Sequence, residues 1–202
     1  MLKGYIEVVV WDRDGRIVQS GRHEMHSFLN NLLKFFEAFF KGDGLEVGVN
    51  MADTGGTIRT VVGAAIRAHQ SRLGTAAASG DDSYGILVGS GTTPVDMNQY
   101  TLASKIPHGT SAGQLSYGPL SLDDLGVVQT VSPPVYRFRL VRSFTNASTS
   151  SVTINEIGVA VRYRFADYDY RFLVARDVLP SSYTVPAGGS ASVAVTIEVE
   201  LG

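Results

Sequence analysis

Residues 190–201, SASVAVTIEVEL, place Val193, Val195, Ile197, Val199 and Leu201 at every second position, with Ala194, Thr196, Glu198 and Glu200 between them. A period of two keeps one set of side chains on one face of an extended chain, and no helix can do so. The same pattern recurs upstream. Tyr136, Phe138 and Leu140 alternate with Arg137, Arg139 and Val141, and the strand runs on to Phe144 before a turn at Asn146-Ala147-Ser148. Val152 and Ile154 are followed by Ile157, Val159, Val161, Tyr163 and Phe165, one step out of phase. A slip of one residue predicts a β-bulge at Asn155-Glu156. Asp167-Tyr168-Asp169-Tyr170 reads as a polar aromatic turn, Phe172 to Val178 as a strand, and Ala187-Gly188-Gly189-Ser190 as the turn before the closing strand.

The first half is less regular. Tyr5 to Trp11, Asp12-Arg13-Asp14-Gly15 and Ile17-Val18 read as a hairpin. In FLNNLLKFFEAFF, residues 28–40, apolar pairs recur every three to four positions, which predicts an amphipathic helix over about 27–41. Ser27 and Gly42 are its expected caps. Its phenylalanines either plug the open face of a sheet or dock onto a neighbouring subunit. Leu45, Val47, Val49 and Met51 return to period two, Asp53-Thr54-Gly55-Gly56 turns, and Ile58, Thr60 and Val62 run back. Residues 63–83 are rich in Ala, Gly and Ser and are expected to form a flexible loop or arm, or a weak helix with a flexible tail. The expected fold is mainly β: an antiparallel β-sandwich or jelly-roll-like domain over residues 1–202, with one amphipathic α-helix near the N-terminus.

Several classes of function are disfavoured by composition. The chain has 202 residues, 44% of them hydrophobic and 18% charged, and a formal net charge of −2. Without a basic field there is no basis for direct nucleic-acid binding. The absence of cysteine removes thiolate chemistry, disulfides and Cys-based zinc sites. Glu7 interrupts the apolar run near the start, so no signal peptide is expected, and no apolar stretch is long enough to span a membrane.

Candidate chemistry is thin. GILVGSGTTPVD, residues 85–96, opens like a phosphate loop, but no Lys follows the glycines, no third Gly completes GxGxxG, and no helix follows to supply the anion site. Asp53-Thr54-Gly55 is the aspartic-protease triplet in a single copy, and two carboxylates are needed. His23 and His26 are spaced to share a helix face around Glu24, short of a third metal ligand. No serine sits in Gly-x-Ser-x-Gly. No catalytic, cofactor or metal residues are therefore expected. In the series Arg137, Arg139, Arg142, Arg162, Arg164, Arg171 and Arg176, several alternate with core residues and are expected to share an outer sheet face. There they would be solvated, or would meet acids of a neighbouring subunit or an anionic sugar.

As a set, the segments SFLNNLL from Ser27, DTGGT at 53–57, GILVGSGTTPVDMNQYTLASKI at 85–106, GQLSYGP at 113–119, RSFTNAS at 142–148, INEIGVAVRY at 154–163, FLVARDVL at 172–179 and VPAGGSASVAVTIEVE at 185–200 resemble structural proteins encoded by tailed bacteriophages. The resemblance implies a non-enzymatic virion component of tail or capsid, made in the host cytoplasm and residing in the particle. Its implied partners are copies of itself and other virion proteins. It also implies that the stretch from Gly89 to Pro94 is a conformational loop, followed by an exposed segment from Tyr100 to Ile106. The candidate subunit interface comprises Phe28, Leu32, Phe35, Phe36, Phe39, Arg137, Arg139, Arg162 and Arg164. The alternative is a carbohydrate- or receptor-binding module on the virion surface, using Tyr168-Asp169-Tyr170 and nearby arginines against a host-surface glycan.

Overall fold

A computed structural model describes residues 2–41, 48–63, 66, 72–128 and 134–200. It is mainly β, with antiparallel sheets in a sandwich-like arrangement and one short helix, as the sequence pattern predicts. The first sheet has the order β2-β1-β11-β8-β7, from β1 (Leu2–Trp11), β2 (Ile17–Met25), β7 (Ser116–Val128), β8 (Val135–Thr145) and β11 (Ser190–Glu200). In the second, β9 (Val152–Phe165) pairs along one edge with β10 (Tyr168–Val185). Its other edge pairs with β5 (Arg72–Gly74) and β6 (Gly85–Gly89). β3 (Gly48–Ala52) and β4 (Ile58–Val62) form a separate hairpin, and α1 (Asn30–Phe40) packs against it and against β10.

Register explains the core. Across β1, β11 and β8 the paired rows are Ile6/Val195/Leu140, Val8/Val193/Arg142 and Val10/Ala191/Phe144, and every one of these side chains is buried. The opposite face of the same strands carries ion pairs instead. Arg139 reaches Glu7 at 2.9 Å, Arg22 reaches Glu7 at 3.5 Å, Arg137 reaches Glu198 at 2.5 Å and Lys3 reaches Glu200 at 2.6 Å.

Turns follow their chemistry. Asp12 Oδ1 accepts from the backbone N–H groups of Asp14 and Arg16, and Gly15 takes φ 78°. Asn146 is fully buried, and its amide donates to the carbonyls of Ser150, Val185 and Pro186, tying two turns together. The phase slip in β9 is real but its geometry differs from the expected bulge. Ile154 pairs with Tyr183 and Glu156 with Val178, so the extra residues, Leu179–Ser182, lie on β10.

Three local expectations change. Ser27 is not the helix cap: Leu29 is the N-cap residue, without a side-chain cap bond, and Ser27 instead accepts from the Arg176 backbone N–H at 3.2 Å. The start of α1 is held by tertiary bonds, Leu29 N–H to Val174 O at 2.8 Å and Asn30 N–H to Met97 O at 2.9 Å. These satisfy two of the donors that the first turn of a helix leaves without an intrahelical partner. The other expected cap, Gly42, lies outside the described residues, as do Leu45, Val47, residues 64–65 and residues 67–71. Within the stretch expected to be a loop or arm, β5 pairs with β9 and Ala77 is buried.

Candidate functional site

Two surfaces stand out, and both border β9 and β10. The first is the outer side of α1. Asn31, Phe35 and Ala38 recur at helical spacing and face inward, and Phe35 meets Phe172 edge to face at 5.5 Å. Leu32 packs partly against the same core, and the other apolar residues of α1 turn outward. Leu33, Phe36 and Phe39 are exposed, and Phe40 is 79% exposed. Beside them runs a groove of about 340 Å³, formed by Leu32, Phe36, Phe39 and Phe40 against Leu73 and Val161.

The second surface is a cleft of about 440 Å³ between β4 and the β9–β10 turn. Tyr168 pairs with Phe165 and Tyr170 with Tyr163, so four aromatic residues line the same side of the hairpin end. The rings of Tyr168 and Tyr170 lie 5.7 Å apart, tilted by 33°. From β4, Arg59 lays its guanidinium 4.6 Å from the Tyr170 ring centroid while its Nε donates to Asp53 Oδ2 at 2.7 Å. Asp53 is buried, and its Oδ1 also accepts from the N–H groups of Gly55 and Thr57. Those bonds hold its carboxyl below the ordinary aspartate range against the opposing effect of burial. The Asp-Thr-Gly triplet thus fixes a hairpin and orients an arginine.

The stretch from Gly89 to Pro94 wraps a buried ion pair. Glu156 on β9 and Arg176 on β10 meet at 2.6 Å, both fully inaccessible to solvent. Glu156 accepts from the backbone N–H groups of Gly91, Ala103 and Ser104, and Arg176 donates to Gln99 Oε1 and Thr93 O. A Cβ on Gly89 or Gly91 would collide with the Glu156 carboxylate, so these glycines serve close approach to a carboxylate, not to a phosphate. The segment from Tyr100 to Ile106 is only partly exposed, because Leu102 and Ile106 are buried.

The expected interface residues divide. Leu32, Phe36 and Phe39 lie on the apolar groove; Phe35 also borders it but is buried in the core, and Phe28 packs against the core beside its bridge to Ala175. Arg137 and Arg139 pair with Glu198 and Glu7 of their own sheet. Arg162 forms a two-pronged pair with Asp169, 2.8 and 2.7 Å, and Arg164 is exposed on the same strand. Arg142 and Arg176 are not on an outer face at all. Arg142 is buried and donates to five carbonyls, those of Gly118, Tyr84, Ile86, Ala78 and Asp81. The parity of β8 contained that signal, since Arg142 is two residues past inward Leu140.

The histidines share no helix. His23 lies in β2 and contacts the Tyr183 hydroxyl at 2.5 Å; His26 follows the strand, and its backbone N–H donates to Asp177 Oδ2 at 2.5 Å. Burial pushes the Asp177 carboxyl above its ordinary range. Among the described residues, no group of three or more His, Asp or Glu is placed to hold a metal ion, and no helix is long and apolar enough to cross a membrane.

No protein-family model matches this chain, and no match exists among curated proteins or solved structures.

Proposed function

We propose that this chain is a non-enzymatic structural subunit of a tailed-phage particle, a tail or capsid component that assembles with copies of itself and with other particle proteins. The observation that supports this most is the outward row of Leu33, Phe36, Phe39 and Phe40 on α1, beside an apolar groove. Contiguous exposed aromatic surface of this kind in a water-soluble chain marks a surface that another molecule covers. Glu37 and Lys41 flank the row, paired with each other at 3.2 Å one helical turn apart, and Lys34 lies along the same edge. An apolar stripe with charge along one edge can meet the same stripe of a second copy across a two-fold axis, which favours a second copy as the partner. The protein would be made in the host cytoplasm and reside in the particle.

The mass in solution across concentration, from light scattering coupled to size exclusion, tests the reading. Wild type is expected to form defined oligomers or to grow with concentration, and a Phe36→Ser, Phe40→Ser double variant is expected to stay monomeric. A wild type that is monomeric at every concentration, or a double variant that associates as wild type does, overturns it.

A further inference from the structure

We propose that the cleft between β4 and the β9–β10 turn binds a neutral saccharide, seated on the ring of Tyr168 beside Tyr170 and Arg59. The site is built from both of its sides. Ala166, at φ 49°, holds the turn in a left-handed conformation that non-glycine residues rarely adopt. The register behind this turn sets Tyr168 opposite Phe165 and Tyr170 opposite Tyr163. Tyr163 is buried, but Tyr168 is 54% exposed, and Ile58 faces the same cleft from β4, also exposed. Aromatic rings gathered on one face of a hairpin normally bury one another against a core. Here Tyr168 presents its ring to solvent, with Tyr170 half-buried beside it.

A sugar ring has the matching chemistry. Its C–H face is apolar and stacks on an aromatic face, while its hydroxyl rim needs groups that donate and groups that accept. The Tyr168 and Tyr170 hydroxyls do both, and Arg59, held by Asp53, places its guanidinium donors over the Tyr170 ring, next to Tyr168. The charge of Arg59 is matched by Asp53 at 2.7 Å. Asp169 pairs with both Arg162 and Arg171, and all three alternate with the cleft residues along β9 and β10, so they lie on the other face of the hairpin, where both arginines are directed toward Tyr84. An acidic sugar therefore meets no surplus positive charge, and a neutral one is preferred. The volume, about 440 Å³, falls within the roughly 300–1,000 Å³ of small-molecule sites. With β4 as one wall and the hairpin as the other, the cleft suits a short oligosaccharide better than an extended proline-rich peptide, the other ligand that aromatic grooves take.

Saturation-transfer NMR on the full chain tests this, with chitotriose, maltotriose and lactose as neutral probes, 3′-sialyllactose as the acidic one and decaproline as the peptide. At least one neutral probe is expected to receive saturation, strongest at its ring C–H protons. Tyr168→Ala is expected to raise its Kd about tenfold or more. Because Tyr168 is mostly exposed, the variant should melt with the wild type, and a matching melting curve separates lost binding from lost fold. Silence from all three neutral probes at about 10 mM, the weak limit of useful affinity, overturns the assignment. So does equal binding by a folded Tyr168→Ala variant, preference for the sialylated probe, or binding of decaproline alone. None of these outcomes bears on whether the α1 face assembles.

Discussion

Glu156 and Arg176 face each other across adjacent strands at 2.6 Å, both completely buried, and the chain from Gly91 to Ser104 is hydrogen-bonded around them. The glycine-rich stretch after β6 is therefore fixed by an internal ion pair. Breaking one side of such a pair leaves an uncompensated charge inside, which costs about 3–5 kcal/mol. Glu156→Ala also strands the N–H groups of Gly91, Ala103 and Ser104. A urea denaturation series should show a loss in that range, together with rapid proteolysis between residues 90 and 105. A loss under about 1 kcal/mol would mean that the pair does not hold the segment.

Arg142 donates to five carbonyls and is paired with no acid at salt-bridge distance among the described residues. Arg142→Met keeps much of the volume but leaves buried acceptors empty, each at about 1–3 kcal/mol. The variant is expected to be at least about 3 kcal/mol less stable, and Arg142→Lys to recover only part of the loss because a lysine has three donors. Equal stability of wild type and the methionine variant in chemical denaturation would refute this.

The two sides of α1 should respond oppositely. Phe35→Ala removes a ring packed on Phe172 and is expected to cost about 3–5 kcal/mol. Phe40→Ser changes an exposed position and should stay within about 0.5 kcal/mol while reducing association. Denaturation midpoints and solution mass on the same two variants check the pair of expectations.

Asp169 bridges Arg162 and Arg171, and the Arg162 hydrogen bonds hold its carboxyl at about 2. Its folded pKa is lower than its unfolded one, so its contribution is complete above the ordinary aspartate range and disappears as pH falls toward about 2. The group is more than a third exposed, so solvent screening keeps the effect under about 1 kcal/mol. Melting temperatures of wild type and Asp169→Asn should differ slightly at pH 6 and converge near pH 2. A gap that is constant with pH would exclude the ion pair as its source.

Asp177 works the other way. Burial raises its carboxyl pKa, so its stabilising contribution is present below the ordinary aspartate value and is lost as pH rises through the folded one. Asp177→Asn keeps an oxygen for the His26 N–H and removes the buried charge. The variant is expected to melt higher than wild type at pH 7 and to lose that advantage on acidification; a lower melting point at pH 7 would contradict it.

Period-two alternation is a local property, and it was sufficient for β1, β8, β9 and β11, for the mainly β class and for the hairpin turn at Gly15. The helix was equally legible, because its apolar spacing of three to four is incompatible with a strand. What alternation leaves open is which face meets what. The same pattern puts Arg139 outward against Glu7 and Arg142 inward against carbonyls, and parity separates them only once Leu140 is known to face the core. Arg176 and Glu156 carry no periodic signal, because β9 and β10 are buried on both faces in their middle turns. His23 and His26 share an apparent helical spacing, yet β2 continues through His23 because Ile6 on β1 pairs with it.

The sequence by itself determined the alternating strands β1, β8, β9 and β11, the helix and the tight turn at Gly15, since each depends on neighbours within a few residues. Only the tertiary structure decided that Gly89 and Gly91 make room for a carboxylate, that Phe35 is core while Phe40 is surface, and that Tyr163, Phe165, Tyr168 and Tyr170 converge beside Arg59. Those outcomes depend on residues distant along the chain and adjacent in space, where burial and pairing, not local pattern, set the free energy.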